Sequence, residues 1–231
     1  MTARPYVVLS CAVSVDGFID DSASEPLRLS NDEDFDRVDD VRAGADAILV
    51  GANTIRRDDP RLLVRSEARV RDRIARGLPP QPVKVTVTTS GALDPDRRFF
   101  TAGDGLKLVY ASSPVASDLR EHLRNLAVVV DAGRTVDVRR MTDDLGARGV
   151  RRLMVEGGTS IHTQFLTAGL VDELHLAVCP FFVGDTDAPR FVGAGVFPWN
   201  RARRMTLAEV RPVGDVVLLR YVLGDRGERP S

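Results

Sequence analysis

Residues 153–180 read LMVEGGTSIHTQFLTAGLVDELHLAVCP, and this stretch decides the fold class. A short apolar run, Leu153 to Val155, leads through two glycines to a helical segment from Ile161 to Ala168 and a second apolar run from Glu173 to Pro180. Short apolar runs on either side of a helical segment are typical of two strands joined by a crossover helix. Because parallel neighbours need such a connection, the stretch predicts an α/β fold.

The same alternation of strands and helices extends toward the N-terminus. The predicted strands there are Tyr6 to Val13, Ala47 to Val50, Val83 to Thr88, Leu106 to Tyr110 and Ala127 to Val130. The predicted helices are Asn31 to Ala43, a single turn from Asn53 to Arg57, Pro114 to Asn125 and Val138 to Arg148. This alternation predicts a mostly parallel central sheet with helices on both faces, in which ligands bind at the carboxyl ends of strands.

Three local patterns complete the secondary-structure prediction. Two runs near the C-terminus, Met205 to Val210 and Val216 to Leu223, predict a β-hairpin, so the sheet gains antiparallel strands late in the chain. The segment from Ser66 to Gly77 is rich in charge and is predicted to lie on the surface. Ser30 and Glu33 have the spacing of a capping box at the start of the first helix.

The composition excludes several classes of protein. Of 231 residues, 43% are hydrophobic and 28% charged, which is typical of a globular chain rather than a disordered or fibrous one. The net charge of −1 gives no general attraction to nucleic acid or an anionic membrane. Because no apolar run suits a membrane helix or a signal peptide, we expect a cytoplasmic protein. We predict one domain over residues 1–224, with a disordered tail at residues 225–231.

Neither a disulfide nor a metal site is expected. Cys11 and Cys179, the only two cysteines, lie in apolar runs that read as strands, so we expect buried free thiols. The histidines are His122, His162 and His175, and they lack the spacing of metal ligands. Each is typical of a packing or surface position, although His162 follows a glycine turn closely enough to touch a ligand.

Two glycine-containing turns, Gly51 to Thr54 and Glu156 to Thr159, each join a strand to a helical segment. Glycine lets the backbone approach a pyrophosphate closely, and amides at a helix start donate hydrogen bonds to it. The pair of turns predicts a dinucleotide site, although each turn alone equally serves chain geometry. A third strand ends in Thr88-Thr89-Ser90-Gly91, whose hydroxyls suit a 2′-phosphate or simply a polar turn.

Four segments resemble a known family in order, spacing and motif. They are Pro5 to Gly17, Ala45 to Arg65 with VGxxTxxxDDPxL, Val155 to Leu174 with VEGGxxxxxxFLxxGLVDEL, and Pro180 to Gly184. These segments are similar to the reductase domain of riboflavin-biosynthesis deaminase/reductases. The resemblance implies a dihydrofolate-reductase-like fold, NADPH as cofactor and a homodimer. It also implies reduction of a phosphoribosylaminopyrimidine at the sugar C1′ to a ribitylamino product.

The resemblance also implies binding residues at matching positions. Substrate phosphate and ribose would be bound by Ser30, Arg42, Leu62 and Arg65. NADPH would be bound by Ala12 near the nicotinamide, Gly51, Asn53, Thr54, Thr88, Ser90, Gly157, Gly158 and Thr159. An arginine fork matches two phosphate oxygens. Two alternatives stay open: Arg42 interacts only with the dipole of its own helix, and Ser30 serves only the capping box.

Two carboxylates, Asp58 and Glu156, match those that line the reaction site of the family. Reduction of an open-chain imine at C1′ needs a proton to be supplied or relayed, which a carboxyl group can do. The alternatives are that Asp58 or Asp59 caps the turn at Pro60, and that Glu156 satisfies backbone amides at a strand end. Deamination is expected from another protein, because the zinc signature of a nucleobase deaminase does not occur in the sequence.

Two positions depart from the bacterial members of the family. Ser10 stands where they carry a lysine, and Phe18 stands where they carry a basic residue. The change removes a charge-assisted hydrogen-bond donor, so a related pyrimidine, a dihydropterin or an intermediate of a specialised pathway is open as substrate. The alternatives to a pyrimidine reductase are a dihydrofolate-type or pterin-type reductase and a non-catalytic NADPH-binding protein of the same fold.

Overall fold

The computed structural model describes residues 4–23, 25 and 27–223. Its strands are β1 Tyr6–Ser14, β2 Ala47–Gly51, β3 Val83–Thr88, β4 Lys107–Ala111, β5 Val128–Asp131, β6 Arg152–Gly157, β7 Glu173–Cys179, β8 Thr206–Val213 and β9 Val216–Val222. Its helices are α1 Asp32–Ala43, α2 Ala52–Asp58, α3 Glu67–Ala75, α4 Arg98–Thr101, α5 Ser113–His122, α6 Val138–Ala147 and α7 Thr159–Thr167. The predicted α/β class, mostly parallel with an antiparallel C-terminal hairpin, is confirmed.

The chain divides into two compact units. The first unit comprises Met1–Pro5 and Asp39–Met154, and the second unit comprises Tyr6–Val38 and Val155–Ser231. A single domain over residues 1–224 therefore stays a prediction, and the expected tail at 225–231 lies outside the described residues. Within the described part of the chain, no helix is long and apolar enough to cross a bilayer. No group of three or more His, Cys, Asp or Glu residues there is placed to hold a metal ion.

The first unit is a parallel sheet in the order β5-β4-β3-β2. Every residue of β2 and β4 is buried, as expected for central strands covered on both faces, which read as continuous apolar runs. The short helix α4 was not predicted, and α5 is shorter than predicted, ending at His122. The boundaries of β3 agree with the prediction, so the sequence pattern identified the framework of this unit.

The segment from Ser66 to Gly77 is not simply a charged surface stretch, and that prediction was wrong in part. Ser66 caps helix α3, its hydroxyl accepting the Arg69 amide at 3.4 Å. Arg73 is fully buried, and its guanidinium donates to the carbonyl oxygens of Ala43 at 2.8 Å and Ala45 at 2.7 Å. Carbonyl groups at a helix C-terminus lack partners within the helix, so a charged side chain becomes part of the interior.

The second unit contains β1, β7, β9 and β8 in that order. β1 and β7 are parallel, from Val8 opposite Glu173 to Ser14 opposite Cys179. β9 pairs antiparallel with both β7 and β8, which is the predicted late change of strand direction. The glycine turn at Gly157 and helix α7 also belong to this unit.

The predicted capping box at Ser30 was wrong, because helix α1 begins one residue later than that pattern requires. Asn31 is the cap, and its side-chain oxygen accepts the Asp34 amide at 2.8 Å. The Ser30 hydroxyl instead donates to the Asp34 carboxylate at 2.7 Å, and Ser30 is buried. A capping role is therefore no explanation for Ser30.

Candidate active site

In the first unit, the DDPxL loop comes together with the end of helix α1. Arg42 donates from Nη1 to the carbonyl oxygen of Leu63 at 3.2 Å, so Arg42 does more than interact with its helix dipole. Leu62 is buried and has φ of 48°, in the left-handed region. Any contact of Leu62 with a ligand therefore falls to its backbone, because the side chain is in the core.

Asp39 fixes the end of this loop. One of its carboxylate oxygens accepts the Arg65 amide at 2.6 Å, and the other accepts the Ser66 amide at 3.1 Å and Arg69 Nη1 at 3.1 Å. The Arg65 guanidinium lies 3.6 Å from the same carboxylate, yet its side chain is 59% exposed. The Arg65 backbone amide is thus hydrogen-bonded while more than half of its side chain is exposed, an arrangement that suits an anion-binding arginine.

The two aspartates of the DDPxL motif have different environments. Asp59 ends helix α2 with φ of 43°, and its carboxylate accepts the backbone amide of Arg98 at 2.6 Å and Arg98 Nε at 3.1 Å. These bonds join Asp59 to a residue 39 positions along the chain, so the Asp59 carboxylate does not cap the turn at Pro60. Asp58 is the last residue of α2 and is half-buried.

The predicted cofactor residues of the first unit lie at two turns. Gly51 precedes α2 and has no side-chain cap, while Asn53 Oδ1 accepts Arg56 Nη2 at 3.4 Å. At the end of β3, the Thr88 hydroxyl accepts the Gly91 amide at 3.1 Å, and the Ser90 hydroxyl accepts the Ala92 amide at 3.3 Å. Because both hydroxyls accept in these bonds, each keeps its own hydrogen for donation. Thr54 in α2 is half-buried.

The second unit holds the other glycine turn. Gly157 has φ of 133°, the Gly157–Gly158 peptide is cis, and Gly158 caps α7 without a side-chain hydrogen bond. The backbone conformation favours glycine there, and a Cβ at Gly157 would lie 3.3 Å from Nε2 of His162, so the ring would have to move by a few tenths of an ångström to admit one. Glu156 immediately precedes this turn and is half-buried.

His162 lies directly beneath the glycine turn and is fully buried. Its Nδ1 donates to the carbonyl oxygen of Phe191 at 3.1 Å, whereas Nε2 has no hydrogen-bond partner among the described residues. Burial lowers the pKa of His162 to about 4, outweighing the opposite effect of the bond to Phe191. The ring is therefore neutral at pH 7 and offers an acceptor nitrogen next to Gly157.

The remaining predicted residues of the second unit take defined places. Thr159 Oγ1 donates to the carbonyl oxygen of Arg190, so this hydroxyl proton is already used. Ala12 is partly buried beside the apolar cluster of Ala177, Cys179 and Val216. Both cysteines are buried and free, as expected.

Sequence reasoning missed a polar network in the second unit, which consists of Tyr6, Ser30, Asp34, Arg37, Glu173, His175, Glu209 and Arg220. From Ser30 it runs through Asp34 to Arg37, whose Nε donates to Asp34 at 2.6 Å. Arg37 Nη1 lies 3.4 Å from His175 Nδ1, and His175 Nε2 lies 2.7 Å from Glu173. Ser10 is buried opposite His175 in the β1–β7 register.

Glu173 is the centre of this network. It accepts hydrogen bonds from Tyr6 at 2.9 Å, from Arg220 at 2.9 Å and from His175. Burial by itself would raise the pKa of Glu173, but the bonds from His175, Arg220 and Tyr6 outweigh it and lower the pKa to about 2. Tyr6 and Arg220 lie 167 and 47 positions from Glu173, so no local pattern could have identified these two partners.

The RibD C-terminal domain family matches this chain over residues 5–219. The chain belongs to this family. The resemblance inferred from the four sequence segments is thus confirmed, and the match extends across the predicted reaction-site carboxylates and both glycine turns.

Two relatives are similar over most of their length, and both bear the name 2,5-diamino-6-ribosylamino-4(3H)-pyrimidinone 5′-phosphate reductase. The protein from Methanothermobacter thermautotrophicus is 36% identical, covering 95% of this chain and 99% of its own. The protein from Archaeoglobus fulgidus is 36% identical, covering 80% of this chain and 85% of its own.

Among solved structures, a pyrimidine reductase-like protein from Corynebacterium diphtheriae superposes with a TM-score of 0.80. It is 22% identical and the superposition covers 95% of this chain and 92% of that one. This likeness supports the RibD reductase-like fold alone, and the predicted dihydrofolate-reductase-like α/β architecture is confirmed.

Proposed function

We propose that this protein is an NADPH-dependent reductase that converts a phosphorylated ribosylaminopyrimidine to its ribitylamino product by reduction at the sugar C1′. The observation that carries the proposal is the Arg65 side chain, 59% exposed on a backbone fixed by Asp39. The names of the two relatives at 36% identity support a pyrimidine 5′-phosphate as the substrate. Their reductase names also support a nicotinamide cofactor, and NADPH is our proposal for its identity.

We assign the substrate phosphate and ribose to Arg42, Leu62, Arg65 and Ser30. Arg65 supplies the fork of N–H donors that suits two phosphate oxygens. Arg42 supports the loop through the Leu63 carbonyl, and Leu62 contributes its backbone because its side chain is buried. Ser30, whose hydroxyl hydrogen goes to Asp34, is suited to accept a hydrogen bond from a substrate hydroxyl or amine.

We assign NADPH to the residues at the two glycine turns and at the end of β3. Position 157 favours glycine, and the uncapped start of α7 offers backbone amides, which fits the close approach of a phosphate. Thr88 and Ser90 retain hydroxyl donors, and Asn53 is exposed on the first turn of α2. The proposed cofactor-binding residues are Ala12, Gly51, Asn53, Thr54, Thr88, Ser90, Gly157, Gly158 and Thr159.

When bound, NADPH supplies the hydride that reduces C1′. We assign the accompanying proton to Glu156 and Asp58, whose carboxyl groups would protonate or polarise the nitrogen attached to C1′. Asp58 supports this role as a half-buried carboxylate at the end of α2. Glu156 is suited to it because it is the last side chain before the glycine turn.

We also propose a homodimer in a reducing, cytoplasmic compartment. The C-terminal hairpin supports a partner surface, because Leu207, Val210 and Val217 are large apolar side chains exposed on β8 and β9. The buried free thiols of Cys11 and Cys179 support the compartment. Light scattering on the eluting protein measures the mass of the assembly, and a monomer at micromolar concentration would exclude the dimer.

The proposed function is tested by NADPH oxidation with three candidate substrates assayed in parallel. These are 2,5-diamino-6-ribosylamino-4(3H)-pyrimidinone 5′-phosphate, its deaminated uracil counterpart and dihydrofolate. We expect turnover of a pyrimidine, and which one reacts gives the order of reduction and deamination. Turnover of dihydrofolate alone would favour a pterin reductase, whereas NADPH binding without any turnover would favour a non-catalytic protein. Repeating the assay with NADH tests the cofactor preference.

A further inference from the structure

The segment of residues 183–193, called here the Arg190 loop, is fixed within the second unit. The Asp16 carboxylate accepts the amides of Val183 at 3.1 Å and Gly184 at 2.8 Å. Further along, the Phe191 amide donates to the carbonyl oxygen of Gly17 at 3.0 Å. These bonds bind the loop to the turn that follows β1, so Arg190 projects from an ordered backbone.

The Arg190 side chain makes two contacts within the second unit, although it is exposed. Its guanidinium carbon lies 4.3 Å from the centroid of the Phe18 ring, and Nη1 donates to the carbonyl oxygen of Asp16 at 3.3 Å. No carboxylate among the described residues forms an ion pair with Arg190. Stacking uses the face of a guanidinium and leaves its edge available, so several N–H donors and an unneutralised charge remain open to a ligand.

The Arg190 loop adjoins the second glycine turn. Thr159, the first residue of α7, donates to the Arg190 carbonyl oxygen, and the Gly193 amide donates to Thr163 at 2.8 Å. No side chain caps α7 at Gly158. Beneath the turn, fully buried His162 directs its unpartnered Nε2 to the space beside Gly157. The loop that carries Arg190 therefore contacts the first turn of α7, where no side chain caps the backbone amides.

We propose that Arg190 binds the pyrophosphate of the dinucleotide, together with the first amides of α7. This inference rests on the proposed function only in requiring a dinucleotide cofactor. The pyrophosphate carries negative charge, is common to NADPH and NADH, and suits close contact with a glycine turn and a helix start. The Arg190 edge supplies the charge-assisted hydrogen bonds that a neutral glycine turn lacks.

The test is the dissociation constant of NADPH and of NADH, measured from their fluorescence on titration without substrate. The variants are Arg190→Gln, Arg190→Lys and, as the control, Arg201→Gln, which removes another exposed arginine of the second unit. We expect Arg190→Gln to raise the dissociation constants of both dinucleotides about 10- to 100-fold, because charge-assisted hydrogen bonds are lost. Arg190→Lys keeps the charge but not the fork, so its loss is expected to be smaller. Thermal unfolding of each variant verifies that it is folded.

The outcomes separate this inference from the proposed function. An equal rise in the dissociation constants of NADPH and NADH supports contact of Arg190 with the pyrophosphate. Weaker binding of NADPH alone overturns the inference and assigns Arg190 to the 2′-phosphate. Unchanged binding of both dinucleotides with a raised KM for the pyrimidine overturns it and assigns Arg190 to the substrate phosphate. If wild-type protein turns over the pyrimidine while Arg190→Gln binds both dinucleotides normally, only the inference fails. If wild-type protein binds neither dinucleotide, both fail.

Discussion

Replacing Arg65 with alanine separates phosphate recognition from stability, because the structure predicts a large effect on one and a small effect on the other. The Arg65 side chain is 59% exposed and its Nε lies 3.6 Å from the buried carboxylate of Asp39, and a long contact to a cation that solvent screens contributes about 0 to 1 kcal/mol. Asp39 keeps its bonds to the amides of Arg65 and Ser66 and to Arg69 after the substitution. The free energy of unfolding should therefore fall by less than about 1 kcal/mol.

Substrate binding should respond much more strongly. Charge-assisted hydrogen bonds contribute about 1.5–3 kcal/mol, which corresponds to a roughly 10- to 100-fold rise in KM for the phosphorylated pyrimidine. The phosphate is remote from C1′, so kcat should change far less than KM. The assay is steady-state NADPH oxidation with the 5′-phosphate and with the dephosphorylated nucleoside, combined with urea unfolding.

The decisive comparison is between the two substrates. Arg65→Ala should raise KM only for the phosphorylated form, because the nucleoside offers nothing for the guanidinium to bind. Arg71→Ala is a matched control, since Arg71 is 71% exposed and lies 3.6 Å from Glu67. An equal rise in KM for both substrates, or no rise for either, would refute the assignment of Arg65 to the phosphate.

Three further predictions address the proton donor and two buried ionisable groups. Glu156→Gln should lose turnover while its dissociation constant for NADPH stays the same; normal turnover would contradict the assigned role. Hydrogen bonds from His175 and Arg220 lower the pKa of Glu173 from 4.5 to about 2, despite its burial. The ionised Glu173 therefore stabilises the fold above pH 4.5, and this contribution of about 3 kcal/mol is lost as the pH falls to 2. Urea unfolding at pH 3 and pH 7 should show a weaker pH dependence for Glu173→Gln than for wild type. Burial lowers the pKa of Lys84 from 10.5 to about 8. Between pH 8 and pH 10.5 the unfolded chain therefore binds more protons than the folded chain, so the free energy of unfolding should rise by about 3 kcal/mol across this range. Lys84→Met should abolish that rise, as unfolding at pH 7.5 and 10 will measure.

The sequence predicted the regular framework because the framework depends on local periodicity. The strand from Val83 to Thr88 was located to the residue, and the helix that follows Asn31 was located to within one residue. Apolar runs bounded by turn residues are sufficient for such strands. The charge of the segment from Ser66 to Gly77 was misleading, because the carbonyl groups that Arg73 binds lie about thirty positions away.

The candidate site was predictable where a backbone conformation requires a particular residue. Gly157 is such a position, since its φ of 133° strains any residue with a side chain and an added Cβ would lie 3.3 Å from the His162 ring. The place of Ser30 in the polar network was not predictable. Its hydroxyl bonds to Asp34, and the network continues from there to Glu173 through residues distant in sequence. Pairings of this kind are set by tertiary packing, which no local pattern encodes.

Phe18 and Arg190 show how a position without a charge can carry, on its side chain, a charged group from a distant segment. Read along the sequence, Phe18 is the loss of a basic residue after the first strand. In the structure, the phenyl ring is buried to 3% exposure and forms the surface on which the Arg190 guanidinium lies, 4.3 Å away. A lysine at position 18 would repel that guanidinium, whereas an aromatic ring attracts it. The aromatic residue and the distant arginine are therefore best understood as one arrangement, in which the cation comes from a different segment of the same unit.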